Sequence, residues 1–168
     1  MISVADKNQW LDADVFRTIV HHTPLISIDL LVYNDKKQVL LGKRVNRPAQ
    51  GMWFVPGGRI AKGERIHDAF LRLTYEELGI AIDIKQASYL GLYEHHYSDS
   101  IFTTEDEQIS THYVVNAFKL FIPNEVIPPK VQHNEYDWFT EDELLTSPLV
   151  HIHTRWYFQK NIGFNCLG

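Results

Sequence analysis

Apolar and polar positions alternate along several stretches of the chain, and a period of two marks strands. LISIDLLVYN (25–34) is the first and runs into the turn signal Asn34-Asp35. QVLLGKRVN (38–46) follows and predicts its hairpin partner. Residues 52–55 predict a short strand that stops at Pro56-Gly57-Gly58. ASYLGLYEHHY (87–97) and HYVVNAFKLFI (112–122) predict two long strands, and residues 136–139 one more short one. Elsewhere the period lengthens to that of a helix. Residues 9–22 carry Val15, Ile19 and Val20 on one face, with Asp12 or Asp14 as a cap and Pro24 past the end. Residues 65–78 set Ile66, Phe70 and Leu73 at i, i+4 and i+7, and Gly79 fits the position after the last turn. Thr140 predicts the cap of a short acidic helix, and residues 149–160 a final helix. The polar stretch between the two long strands reads as a mobile loop, about the length of a lid, and residues 123–135 as a loop containing prolines. Strands, a helix, strands and a helix in that order predict an α/β fold: a mixed sheet flanked by helices.

Composition narrows this picture without changing it. At 168 residues, 45% of them hydrophobic, the chain suits a single globular domain spanning 1–168 with a helical N-terminal segment at about 9–22. The net charge of −5 argues against non-specific binding to nucleic acid. No apolar run approaches the roughly 20 residues that span a membrane, and MISVADKNQ is too polar for a signal peptide. The single Cys166 forms no internal disulfide, which fits a reducing cytoplasm.

Candidate chemistry concentrates in GRIAKGERIHDAFLRLTYEELGI (58–80), a glycine-rich loop followed by a helix with Arg72, Glu76 and Glu77 near its end. Spacings of three and four bring Leu73, Glu76 and Glu77 close together on the helix surface. Carboxylate oxygens and arginines together suit Mg²⁺ and the phosphates it accompanies. Arg72 also stands four residues before Glu76, the spacing of a plain helical ion pair. Leu73 completes the Ile66 and Phe70 stripe and so reads equally well as core.

This stretch closely resembles the Nudix box, G-x5-E-x7-R-E-U-x-E-E-x-G-U, where U is aliphatic. Gly58, Glu64, Arg72, Glu76, Glu77, Gly79 and Ile80 fall on the pattern. Leu73 replaces a glutamate, and Thr74 replaces an aliphatic residue. LGKRVNRPAQGMWFVPGGR (41–59), RLTYEELG (72–79), Thr111–Val115, Gln132-His133 and Trp138 further resemble the GDP-mannose mannosyl hydrolases, an atypical Nudix branch. The likeness runs from about residue 10 to residue 158. It implies an α/β/α Nudix sandwich, a homodimer and hydrolysis of GDP-mannose, or GDP-glucose, by water attack at the anomeric carbon with inversion. It implies Mg²⁺, with Mn²⁺ as an alternative ion, held by the Gly57 carbonyl, Glu77 and Gln132.

The remaining roles follow from the same likeness. His133 matches the general base, and an ordinary histidine pKa of about 6.5 suits that task near neutral pH. Arg44, Arg59 and Arg72 match cations that offset the charge of the departing diphosphate. Tyr113 and His95 match residues near the diphosphate and the sugar. Asp29, an acid within an apolar strand, either meets substrate or an arginine, or forms a buried ion pair. Trp10, Leu11 and Phe16 match the segment that approaches the guanine, and would otherwise anchor the first helix. Two other functions stay open: a Nudix pyrophosphatase cleaving P–O–P, and a nucleotide-sugar sensor without turnover.

Overall fold

The computed structural model describes residues 11–122 and 133–159, with the side chains of 133 and 134 left out. Trp10, Gln132 and Cys166 lie outside the described residues. Helix α1 (Ala13–His22) is capped by Asp12, whose side chain accepts from the Asp14 amide. Strands β1 (Leu25–Tyr33), β2 (Val39–Arg44), β3 (Trp53–Phe54) and β4 (Gly57–Arg59) precede helix α2 (Ile66–Leu78). Then come β5 (Ser88–Tyr97), β6 (Thr111–Phe121), β7 (His133–Phe139), α3 (Glu141–Thr146) and α4 (Ile152–Trp156). Gly79 ends α2 at φ 75°, a left-handed backbone that glycine adopts without strain.

The expected α/β/α sandwich with a mixed sheet is present. β1 runs parallel to β6 along its whole length, from Leu25↔Tyr113 to Tyr33↔Phe121, and β6 pairs antiparallel with β5. The hairpin between β1 and β2 is not what the sequence suggested. The two strands meet at Tyr33↔Val39, beside the turn, and then diverge. β2 takes β7 as its long partner, while β4 fills the other edge of β1. β4 itself falls where the sequence read as a loop. Glycine permits its close approach, because a Cβ at Gly57 would come within 2.4 Å of the Ile28 carbonyl oxygen. The splayed sheet leaves a cleft between its halves.

Two apolar layers hold the sandwich. Ile28, Leu30, Phe118 and Leu120 meet Phe70 and Leu73 of α2 on one face. Leu31, Leu41 and Val115 meet Leu144 and Tyr157 on the other. Thr74, fully buried, answers for its departure from the aliphatic pattern. Its hydroxyl donates to the Leu71 carbonyl at 3.1 Å and accepts from the Ile82 amide at 2.9 Å, so it ties α2 to the segment that follows. The final helix is shorter than the pattern predicts. Val150 is held by a bridge to Trp53, so the helix begins only after His151, which caps it. The loop between β5 and β6 is well anchored: Ile109 and Ser100 are buried, and the Thr103 hydroxyl donates to the Ile109 carbonyl. Arg17 of α1 pairs with Glu107 in that loop.

Candidate active site

The cleft opens into a cavity of about 650 Å³. Its walls include Leu11, Phe16, Asp29, Arg44, Gly57, Arg59, Arg72, His95 and Tyr113, residues the sequence had nominated from seven different segments. His95 and Tyr113 lie directly opposite one another across β5 and β6. The His133 backbone pairs with Arg44, which sets that residue at the β2 end of the cleft.

Arg72 is committed to the box itself. Its Nε and Nη2 donate to Glu64 at 2.7 and 2.8 Å, its Nη1 to Glu76 at 2.9 Å, and Nη2 also to the Arg59 carbonyl. Glu64 in turn accepts from the Ala61 amide. The expected helical pair with Glu76 is therefore real, and Arg72 braces the loop against α2. Arg44 and Arg59 make no ion pair among the described residues. Arg59 lies over the Phe16 ring at 4.6 Å, and Arg44 over Phe54 at 5.5 Å. Phe16 also packs edge-on against Phe102, so it both anchors α1 and lines the cavity.

Asp29 meets neither an arginine in contact nor an ion pair among the described residues. Its partner is the Tyr157 hydroxyl, which donates to Oδ2 at 2.6 Å. The same hydroxyl lies 3.2 Å from His95 Nε2. Tyr157 has one proton, and Asp29 takes it, so His95 must donate from Nε2. Burial pushes Asp29 up to about 6, against the pull of the Tyr157 bond and of Arg44. Burial also holds His95 neutral, at about 2, with His153 and His151 adding to the effect. His95 and His153 stack with ring centres 4.3 Å apart. Tyr157, His151 and His153 were not nominated from the sequence. A helix prediction over 149–160 carries no sign that their rings turn inward.

Leu73 decides the character of the box. It is 1% exposed and belongs to the core around α2. A Cβ at Gly58 would meet its Cδ2 at 2.6 Å, so leucine and glycine fit as a pair. Where the pattern has a third carboxylate, this chain has a packed methyl group. Glu76 and Glu77 remain. Glu77 is 2% exposed, and burial followed by the neighbouring Glu76 pushes it up to about 8, with Arg44 opposing and Asp29 adding. A carboxyl group as buried as Glu77 resists ionisation, and a divalent cation reverses that preference. The donor set is hard oxygen, and the Gly57 cradle admits no Cβ, so the residues fit Mg²⁺.

The comparisons with known proteins agree with this geometry. The NUDIX domain matches residues 23–159. The chain belongs to the Nudix family. Nudix enzymes generally use a divalent metal such as Mg²⁺ and act on nucleoside diphosphate derivatives. Among its relatives is the low-salt glycan biosynthesis protein Agl8 of Haloferax volcanii, 39% identical over 75% of this chain and 77% of the relative. Another is an ADP-ribose pyrophosphatase of Methanocaldococcus jannaschii, 35% identical over 49% of this chain and 46% of that protein. The MutT protein of Methanosarcina mazei superposes with a TM-score of 0.63 over 82% of this chain and 92% of its own, at 22% identity, which supports the Nudix fold. No helix among the described residues is long and apolar enough to cross a membrane.

Proposed function

We propose that this Nudix hydrolase cleaves a nucleoside diphosphate sugar at the glycosyl carbon, with GDP-mannose as first substrate and GDP-glucose as second. One observation carries the reading: Leu73 is packed core in a box whose loop, arginine and remaining carboxylates are kept. A site directed at phosphorus is short of a carboxylate there, whereas a site that only holds the diphosphate as a leaving group is not. The relative named for glycan biosynthesis supports a sugar-bearing substrate.

In this reading water attacks the anomeric carbon from the face opposite the diphosphate. The carbon–oxygen bond to the phosphate breaks, GDP departs as the anion, and the proton of the attacking water passes to His133. The free sugar has inverted configuration. Arg44 and Arg59, which face the cavity without an ion-pair partner among the described residues, offset the charge on the departing oxygens. Glu77, the Gly57 carbonyl and Gln132 hold the Mg²⁺, which supplies Lewis-acid stabilisation of the diphosphate when bound. Tyr113 and His95 flank the diphosphate and the sugar, while Leu11 and Phe16, with Trp10 before them, approach the base. Asp29, hydrogen-bonded to Tyr157, lines the same cavity. A homodimer acting in a reducing cytoplasm completes the proposal.

Hydrolysis in ¹⁸O water tests it. Label is expected in the sugar, and label in phosphate overturns the bond assignment. His133→Gln is expected to lose most of the turnover; an unchanged rate removes its role as base.

A second reading has an observation of its own. Glu76 lines the cavity beside Glu77, and the Methanocaldococcus relative is named a pyrophosphatase. Cleavage between the phosphates would yield two monophosphates, which chromatography separates at once from GDP and sugar.

A further inference from the structure

The histidines of β5 and β6 divide between the two faces of the sheet. His95 turns into the cavity. His96, the next residue, projects from the opposite face, as alternation along a strand requires. There it stands directly across from His112 of β6, with ring centres 4.1 Å apart and planes 24° from parallel. Glu94, two residues before His96, shares that face. One ligand atom from each of Glu94, His96 and His112 lies within 4.8 Å of the other two. His112 Nε2 is shut off from water and makes no hydrogen bond among the described residues, although Glu94 Oε1 lies 3.4 Å away.

We propose that Glu94, His96 and His112 form a second metal site, for a divalent transition ion such as Zn²⁺, on the sheet face opposite the cavity. The donor set decides the ion. Two imidazole nitrogens and one carboxylate suit zinc, whereas Mg²⁺ prefers oxygen throughout. Three protein ligands leave a fourth position for water. Little rearrangement is needed. Ligand atoms around a tetrahedral zinc stand roughly 3.3 Å apart at bond lengths of about 2.0–2.1 Å, so small side-chain rotations close the set. The backbone is already fixed, because the strand pairs on either side of His96 and His112 are in register. Zinc would also give the enclosed His112 nitrogen a partner of full strength. A simple ion pair between Glu94 and a protonated His112 is the competing account of the same contact.

Titration of the whole protein with Zn²⁺ against a chromophoric chelator, in a buffer containing excess Mg²⁺, separates the two. One tightly held zinc per chain is expected, with a rise in the thermal midpoint. His96→Gln and His112→Gln should each weaken binding by about tenfold or more, and Glu94→Gln by less. His153→Gln, on the cavity side, should leave it intact. Absence of zinc binding, or binding that survives loss of both His96 and His112, overturns the site. Equal loss in His153→Gln overturns it as well, since the ion then belongs to the inner histidines. His96 is exposed, so its variant carries the test even if His112→Gln fails to fold. The readout is metal binding and not turnover, so it stands apart from the hydrolase proposal.

Discussion

At the residue scale the cavity is governed by who shares a proton with whom. Tyr157 donates its one O–H to Asp29 and so leaves its oxygen to accept from His95. The bond lowers the Asp29 pKa, while burial raises it to about 6. Tyr157→Phe removes the donor and keeps the ring. Asp29 should then titrate higher still, and the acid limb of the pH–rate profile should move towards neutral pH. A limb that stays in place would show that ionisation of Asp29 does not control the reaction. The variant also leaves a buried acceptor with one partner fewer, a loss of about 1–3 kcal/mol in stability. Arg72 teaches the same lesson in reverse. Its residue type fits a phosphate clamp, but its donors go to Glu64, Glu76 and the Arg59 carbonyl, so it positions the end of β4, from which Arg59 reaches the cavity.

At the scale of elements, α2 shows how a departure from pattern can still serve the fold. Thr74 stands where the box has an aliphatic residue, yet its hydroxyl accepts from the Ile82 amide. Thr74→Val restores the pattern and keeps the shape. It should nonetheless lower stability by about 1–3 kcal/mol, because a buried amide loses its acceptor. A shift of the urea midpoint at unchanged slope is the measurement. An equal or raised midpoint would mean that the amide finds another partner. The strands and α2 were legible in the sequence because each buries one face, and burial writes a period. β4 was not, since Gly57 and Gly58 carry no side chain to show alternation and pair only through backbone. The splay of β1 from β2 was hidden for a related reason: a hairpin signal records the turn at Asn34, not the partner each strand takes further along. Leu11, Phe16, Asp29, Arg44, Gly57, Arg59, Arg72, His95 and Tyr113 line one cavity, positions that the wider family resemblance and not the periodicity supplied; Tyr157 and His153 were missed because a five-residue helix leaves no period to read.

At the scale of the whole molecule, the packing of α4 against the sheet buries His95 and His153 and half-buries His151, all three in their neutral form. Burial holds His95 at about 2, His153 at about 3 and His151 at about 4, each further lowered by neighbouring charge. Unfolded, the same rings titrate near 6.5. Below that pH the unfolded chain binds protons that the folded chain refuses, so stability falls as acid is added, down to the folded values. Glu77 and Asp29 act with the opposite sign. Their folded values of about 8 and 6 exceed the ordinary carboxyl range, so the folded chain takes up protons first and gains stability as pH falls through those values. The metal-free protein should therefore be most stable in mildly acidic solution and lose stability on either side. His153→Gln isolates one component. Its stability should fall less steeply than the parent's between pH 6.5 and pH 3, by up to about 1.4 kcal/mol per pH unit for one proton. Denaturant midpoints measured at intervals across that range give both slopes. Parallel curves would show that His153 takes a proton as readily in the folded chain as in the unfolded one, and that the inner stack of rings is open to water.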